Sequence, residues 1–179
     1  MKESKKIRVF IDMDGTLCEW NTNLKSFEDL FAQGYFFNLK PHPNMIKTIH
    51  ELKKNHKFEL FILSAYLEES KTALTEKKLW LDKYIGDLID YEHRLFVPTT
   101  EEKASVVPGG IMPGDILIDD YTVNLVSWKK RGGKGIKVMN GVNGNFGKWN
   151  GSRLFIDHSP TDSYERILTL ASQEVKCDV

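Results

Sequence analysis

Residues Ile7-Arg8-Val9-Phe10-Ile11 run straight into Asp12-Met13-Asp14-Gly15-Thr16, and no other stretch limits the fold as tightly. A β-branched and aromatic run of this length reads as a buried strand, and Asp-x-Asp-Gly at its end delivers two carboxylates to the point where the chain must turn. Two such charges in one small volume repel, and a divalent cation relieves the repulsion. An all-oxygen site of this kind suits Mg²⁺. Asp and Gly are also ordinary turn formers, so the same residues fit a polar turn with no further role. A second copy of the pattern favours the chemical reading: Asp115-Ile116-Leu117-Ile118 is another apolar strand that ends in paired carboxylates, Asp119 and Asp120.

Between these strands the pattern alternates. Phe27, Leu30 and Phe31 fit a turn or two of helix, in a short segment, Leu17 to Leu39, that also carries Trp20, Tyr35, Phe36 and Phe37. Its rings are either core or a cover over the acidic site, where they would stack on a flat substrate group. Pro43 opens a helix through Met45, Ile46, Ile49 and Leu52 that closes on Lys53-Lys54, in keeping with the helix dipole. A second strand, Phe58 to Leu63, ends at Ser64, and a long helix is expected from about Glu68 to Ile85, stopped by Gly86. On the apolar face set by Leu74, Leu81, Tyr84 and Ile85, the intervening positions are Lys77 and Lys78. At least one lysine therefore points inward, as a snorkelling stem or toward a phosphate.

Arg94 to Val97 reads as a strand, with Lys103 on a loop or single helical turn after it. Tyr121 to Lys130 reads as a helix, Gly135 to Met139 as a strand, and Asn140 to Gly151 as turns. Arg153 to Asp157 is a last strand and Tyr164 to Leu170 a last helix, followed by a frayed tail. Strand and helix alternating in this way argue an α/β, Rossmann-like three-layer sandwich with a mainly parallel sheet, in one domain over residues 1–179. Right-handed crossovers would gather the strand ends after Ile11, Leu63 and Ile118 at one sheet edge, where ligands of such sheets bind.

Charge balances at 25 basic and 25 acidic residues, which gives no global field toward nucleic acid or membrane. Cys18 and Cys177 make no disulfide framework and no metal-ligand spacing, so a cytoplasmic setting is expected. The N-terminal apolar run is broken at Asp12, too early for a signal peptide.

Taken in order, Asp12-Met13-Asp14-Gly15-Thr16, Ser64 after a strand, Lys103 with Lys77 competing, and Ile118-Asp119-Asp120 resemble the four motifs of the haloacid dehalogenase superfamily. Within it, Phe36-Phe37 leading to Leu39-x-Pro41-x-Pro43, Glu76-Lys77 with Trp80 and Gly86, and Gly114 to Asp120 are similar to the 5'(3')-deoxyribonucleotidases. The similarity runs from about residue 7 to 140. It implies a Mg²⁺-dependent phosphomonoesterase acting on nucleoside 5'- or 3'-monophosphates through an aspartyl-phosphate. Asp12 would be the nucleophile and Asp14 the acid and base. The metal would be held by Asp12, the Asp14 carbonyl, and Asp119 or Asp120. Ser64, Lys103 and Lys77 would hold the phosphoryl group, and Trp20 and Thr16 are further substrate-side positions. The partner is then a small phosphate monoester, with dimerisation left open. The cap insertion, at about 17–39, is shorter than is usual in that family, and Ser64-Ala65-Tyr66 stands where Thr-Ser-Pro is common. A phosphatase of another metabolite, such as a sugar phosphate, and a non-catalytic phosphate-binding domain are the alternative readings.

Overall fold

The computed structural model describes residues 6–143 and 149–173. Cys177, the end of the expected tail and part of the Asn140 to Gly151 turns lie outside the described residues. Six parallel strands form one sheet in the order β3-β2-β1-β4-β5-β6, with β1 at Ile7–Ile11, β2 at Phe58–Tyr66, β3 at Arg94–Pro98, β4 at Ile116–Asp119, β5 at Lys134–Met139 and β6 at Ser152–Phe155. The helices are α1 (Pro43–Lys54), α2 (Ala73–Tyr84), α3 (Thr122–Lys130) and α4 (Pro160–Ser172). The chain winds from β1 outward through β2 and β3, then returns to the other side of β1 as β4. This makes the β1/β4 junction the place where strand order reverses, and hence the crevice of the sheet.

The period-two alternation of strand side chains builds two cores, one on each face of the sheet. Val9, Ile11, Leu60, Ile62, Ile116 and Ile118 pack against α1 and α4 on one face, through Met45, Ile49, Leu52 and Ile167. Phe10, Phe61, Leu63 and Leu117 pack on the other face against Leu125 and Trp128 of α3. Phe10 stacks on Phe61 at 4.8 Å between centroids and meets the edge of Trp128 at 5.0 Å. Burial of one such ring stabilises the fold by about 1.5–3 kcal/mol. With the sheet covered on both sides, the three-layer α/β expectation holds. Among the described residues no helix is long and apolar enough to cross a membrane.

Several boundaries differ from the sequence expectation. The long helix starts at Ala73, not Glu68, because the preceding residues form a separate turn: Ser70 N–H donates to the Leu67 carbonyl, and the Ser70 hydroxyl accepts from Ala73 N–H at 3.1 Å. The buried face of α2 is Ala73, Glu76, Lys77, Trp80 and Leu81, so Leu74 and Tyr84 stand at its edge. Strand β2 runs past Ser64 to Tyr66, because β3 continues to pair with it there: Ser64 faces Phe96, Ala65 Val97 and Tyr66 Pro98. The last helix begins at Pro160, capped by the Ser159 hydroxyl on Asp162 N–H, and not at Tyr164.

Two arginine clamps tie the layers. The Arg8 guanidinium on β1 forks onto Asp115, with Nε 3.0 Å from Oδ1 and Nη2 on Oδ2, and it also donates to the carbonyls of Pro108 and Gly110 at 2.7 Å each. Both partners are more than nine-tenths buried. On the far side, Arg94 is buried against Asp82 and the carbonyls of Ile89 and Gly86.

Candidate active site

Register brings the two acidic motifs together. Ile11 lies opposite Ile118, and Asp12 N–H donates to the Ile118 carbonyl at 2.9 Å, so Asp12 and Asp119 leave the sheet side by side. The chain then turns tightly: Leu17 N–H donates to the Met13 carbonyl at 2.8 Å and Gly15 N–H to the Cys18 carbonyl at 2.8 Å. Gly15 holds φ at +74°, and a Cβ on it would overlap the Asp120 carboxylate, the Asn140 amide and the Trp20 indole. Only glycine suits both the backbone conformation and the crowding.

Each of the first two carboxylates has its own buried lysine. Lys103 Nζ donates to Asp12 Oδ1 and, at 2.6 Å, to Asp119 Oδ2. Lys77, fully buried, pairs with Asp14 Oδ2 and donates to the Ser64 hydroxyl at 3.0 Å. The inward lysine of α2 is thus Lys77, while Lys78 is exposed. Asp119 is held from three sides, by Lys103, by Tyr121 N–H at 2.7 Å and by Asn124 Nδ2 at 3.0 Å. Asp120 Oδ2 accepts from Asn140 Nδ2 at 2.6 Å, Asn143 Nδ2 at 2.5 Å and Trp20 Nε1 at 3.2 Å.

The electrostatics are those of an excess of negative charge. Burial pushes the Asp12 carboxyl well above its ordinary value; Lys103 opposes this, and Asp119, Asp120 and Asp14 add to it. Asp120 is pushed up to about 6 by burial and by Asp119, against the pull of its amide and indole donors. For Lys103, burial acts to lower the pKa, but Asp119 and Asp12 outweigh it and the net shift is upward. Oxygens of Asp12, Asp119 and Asp120 lie within 4.8 Å of one another. Three hard carboxylates gathered this closely, two of them disfavoured as anions by their burial, fit a divalent cation such as Mg²⁺.

A cavity of about 300 Å³ opens above these carboxylates. Asp12, Asp14, Lys103, Asp119 and Asp120 form its floor, and Trp20, Phe27, Leu30, Phe36 and Leu67 form much of its wall. The rings of the Leu17 to Leu39 segment therefore divide: Phe36 is buried and Phe27 is 62% exposed, yet both face the cavity. Of the positions anticipated from sequence, Thr16, Ser64 and Lys77 lie behind the cavity lining, where Thr16 Oγ1 is buried without a hydrogen-bond partner among the described residues. Asn124, Asn140 and Asn143, which steer the second carboxylate pair, carry no motif signal. Asn140 and Asn143 in their Gly/Asn-rich stretch read as turn formers and Asn124 sits within α3, and only the folded chain brings the first two to Asp120 and the third to Asp119.

No family model matches the chain. Its fold is that of solved haloacid dehalogenase-type hydrolases. The D,D-heptose 1,7-bisphosphate phosphatase of B. bronchiseptica, solved with magnesium and phosphate, superposes with a TM-score of 0.62 at 13% identity, covering 91% of this chain and 98% of that one. A haloacid dehalogenase-like hydrolase from Streptococcus pneumoniae gives 0.59 at 14%, covering 89% and 97%.

In sequence the chain is similar to a putative 5'(3')-deoxyribonucleotidase of Vibrio phage KVP40, 27% identical over 95 residues that cover 48% of this chain and 55% of that protein. It is also similar to the human mitochondrial 5'(3')-deoxyribonucleotidase, 26% identical over 89 residues that cover 50% of this chain and 35% of that one. The match thus spans about half the length of the phage relative and about a third of the human one. Together these similarities support the resemblance to the haloacid dehalogenase superfamily and, within it, to the deoxyribonucleotidases.

Proposed function

We propose that this chain is a Mg²⁺-dependent phosphomonoesterase that hydrolyses nucleoside 5'- or 3'-monophosphates, deoxyribonucleotides foremost, with residues 17–39 acting as a short cap over a single hydrolase domain. The observation that carries the reading is the pair of carboxylates, Asp12 and Asp14, each set against its own buried lysine at the floor of one cavity with an aromatic wall. An Asp12 oxygen attacks phosphorus and forms an aspartyl-phosphate as the nucleoside oxygen departs. Asp14, oriented by Lys77 and through it by Ser64, gives that oxygen a proton. It then takes one from the water that cleaves the acyl phosphate and regenerates Asp12. Lys103, on the cavity floor, offsets phosphoryl charge, which is most of what this chemistry asks of a protein.

Asp12, the Asp14 carbonyl and Asp120 would hold the metal, which supplies further charge neutralisation. Asp120 suits this role better than Asp119, because Lys103, Tyr121 and Asn124 occupy both oxygens of Asp119, whereas the three donors to Asp120 gather on Oδ2. Millimolar Mg²⁺ should therefore raise the melting temperature of chelator-treated protein. A concentration 100 times Kd contributes about 2.7 kcal/mol. The rise should vanish in Asp120→Asn and survive in the control Asn124→Ala, which removes a donor to Asp119 and leaves Asp120 untouched.

The deciding experiment is phosphate release from 5' and 3' ribo- and deoxyribonucleotides and from sugar phosphates, with Mg²⁺ and with chelator. Deoxynucleotides ahead of the rest, with chelator abolishing release, supports the proposal. Sugar phosphates alone would keep the chemistry and discard the substrate, and tight phosphate binding without turnover would discard both.

A further inference from the structure

Helix α2 carries a second buried charge beside Lys77 that the chemistry above leaves unused. Glu76 is 6% exposed. Its carboxylate reaches away from the acidic floor to the Leu17 to Leu39 segment, where Oε1 accepts from Gly34 N–H at 2.6 Å and Oε2 from Phe36 N–H at 3.0 Å. Burying a carboxylate is costly unless it is paired and hydrogen-bonded, and among the described residues no lysine or arginine forms an ion pair with this one. Both of its oxygens are instead used as a fork on two backbone donors. A glutamine of the same shape could not do this, since one arm would present N–H to N–H.

The residues it holds are specific ones. Gly34 sits at φ +86°, where the segment reverses, and its carbonyl is tied to Asn38 Nδ2 at 2.7 Å. Phe36 lines the cavity, and its ring centroid lies 4.8 Å from Lys77 Nζ, the ammonium that orients Asp14. One turn further along α2, Trp80 Nε1 donates to the Leu39 carbonyl at 2.7 Å and completes the attachment.

We propose that Glu76 is a positioning residue that fixes the aromatic wall of the cavity, through Phe36, at a set distance from the acid-base carboxylate, and so determines affinity for the non-phosphate half of the substrate. Adjacent positions of one helix then divide the work, Glu76 holding the wall and Lys77 holding Asp14. This inference rests on the cavity being the substrate site as proposed above.

The test compares full-length wild type with Glu76→Ala, Glu76→Gln and Phe36→Ala, using thymidine 5'-monophosphate turnover, inhibition by inorganic phosphate and amide hydrogen exchange. Phosphate probes only the floor of the cavity. For Glu76→Ala the expected result is at least a tenfold rise in KM for the nucleotide, less than a threefold change in kcat, an unchanged Ki for phosphate, and at least tenfold faster exchange of the Gly34 and Phe36 amides. Glu76→Gln should fall between Glu76→Ala and wild type. Phe36→Ala should repeat the KM effect while the Gly34 amide stays protected, which keeps the test decisive if Glu76→Ala does not fold. A loss of kcat together with a weakened phosphate Ki at unchanged KM overturns the proposal. If wild type turns over no nucleotide, the function reading fails separately, and unchanged exchange at Gly34 and Phe36 in Glu76→Gln would still overturn the anchoring role.

Discussion

Replacing Asp12 by asparagine is expected to lower phosphate release by roughly 10⁴-fold or more, the scale of loss when a covalent nucleophile is removed from a site that acts as a unit. The change is close to isosteric and leaves Lys103 its bond to Asp119, so lost activity should not come with lost structure. Stability should move the other way. Because burial raises the Asp12 carboxyl well above its ordinary value, the folded metal-free protein binds this proton more tightly than the unfolded chain does. The stabilisation is complete below the unfolded value near 3.8 and is lost as pH rises through the folded one. Above the unfolded value Asp12 therefore weighs against the fold, and at neutral pH Asp12→Asn in chelator should melt higher than wild type, with the gap closing as pH falls. Thermal melts at pH 7.5 and at pH 4 check this. A variant that retains turnover, or that melts lower at neutral pH, contradicts the assignment.

The second large effect is on folding alone. Asp115→Ala removes the carboxylate that accepts two bonds from Arg8 and one from Met112 N–H at 2.7 Å, and among the described residues it leaves the buried guanidinium the Pro108 and Gly110 carbonyls as acceptors. Breaking a buried pair on one side costs about 3–5 kcal/mol. At about 2–4 °C per kcal/mol for a chain of this length, the melting temperature should drop by roughly 6–20 °C. Urea unfolding followed by circular dichroism measures the cost directly. Arg8 lies four residues before Asp12 on β1, about 13 Å along the strand, so KM and kcat at a permissive temperature should stay near wild type. A cost under about 1 kcal/mol would mean that water takes over the role of the carboxylate.

The acidic floor of the site is legible in the sequence because its signal is local: an apolar strand ending in Asp-x-Asp-Gly, and another ending in Asp-Asp, state both the element and the end at which the charge sits. Lys77 is legible to the extent that helical spacing puts it or Lys78 on the apolar face of α2. What spacing cannot convey is the partner, and Lys77 reaches Asp14 across 63 positions of sequence. The start of α2 escapes the pattern because Glu68, Glu69 and Lys71 are good helix formers, while the turn that displaces them is set by the Leu67 carbonyl and the Ser70 hydroxyl. The end of β2 reads short because Ala65 and Tyr66 are strand only by virtue of their pairing with β3. Asn140 and Asn143 are out of reach for the same reason: their meaning depends on Asp120, which is some twenty residues away and follows a different strand.

The Leu17 to Leu39 segment leaves and rejoins the body of the protein at a single place. Cys18 bridges Pro41 in antiparallel fashion, Glu19 N–H donates to the Lys40 carbonyl at 2.8 Å, and His42 N–H donates to the Leu17 carbonyl at 2.7 Å. A loop closed by its own stem can change length at little thermodynamic cost, about 0.6 kcal/mol for each doubling. Whatever such a loop contributes to the choice of substrate can then be exchanged while the strands stay where they are, provided that the Trp20 bond to Asp120 and the Glu76 fork on Gly34 and Phe36 are replaced in kind. In that sense the architecture is a socket, and the same acidic floor can be fitted with a different loop.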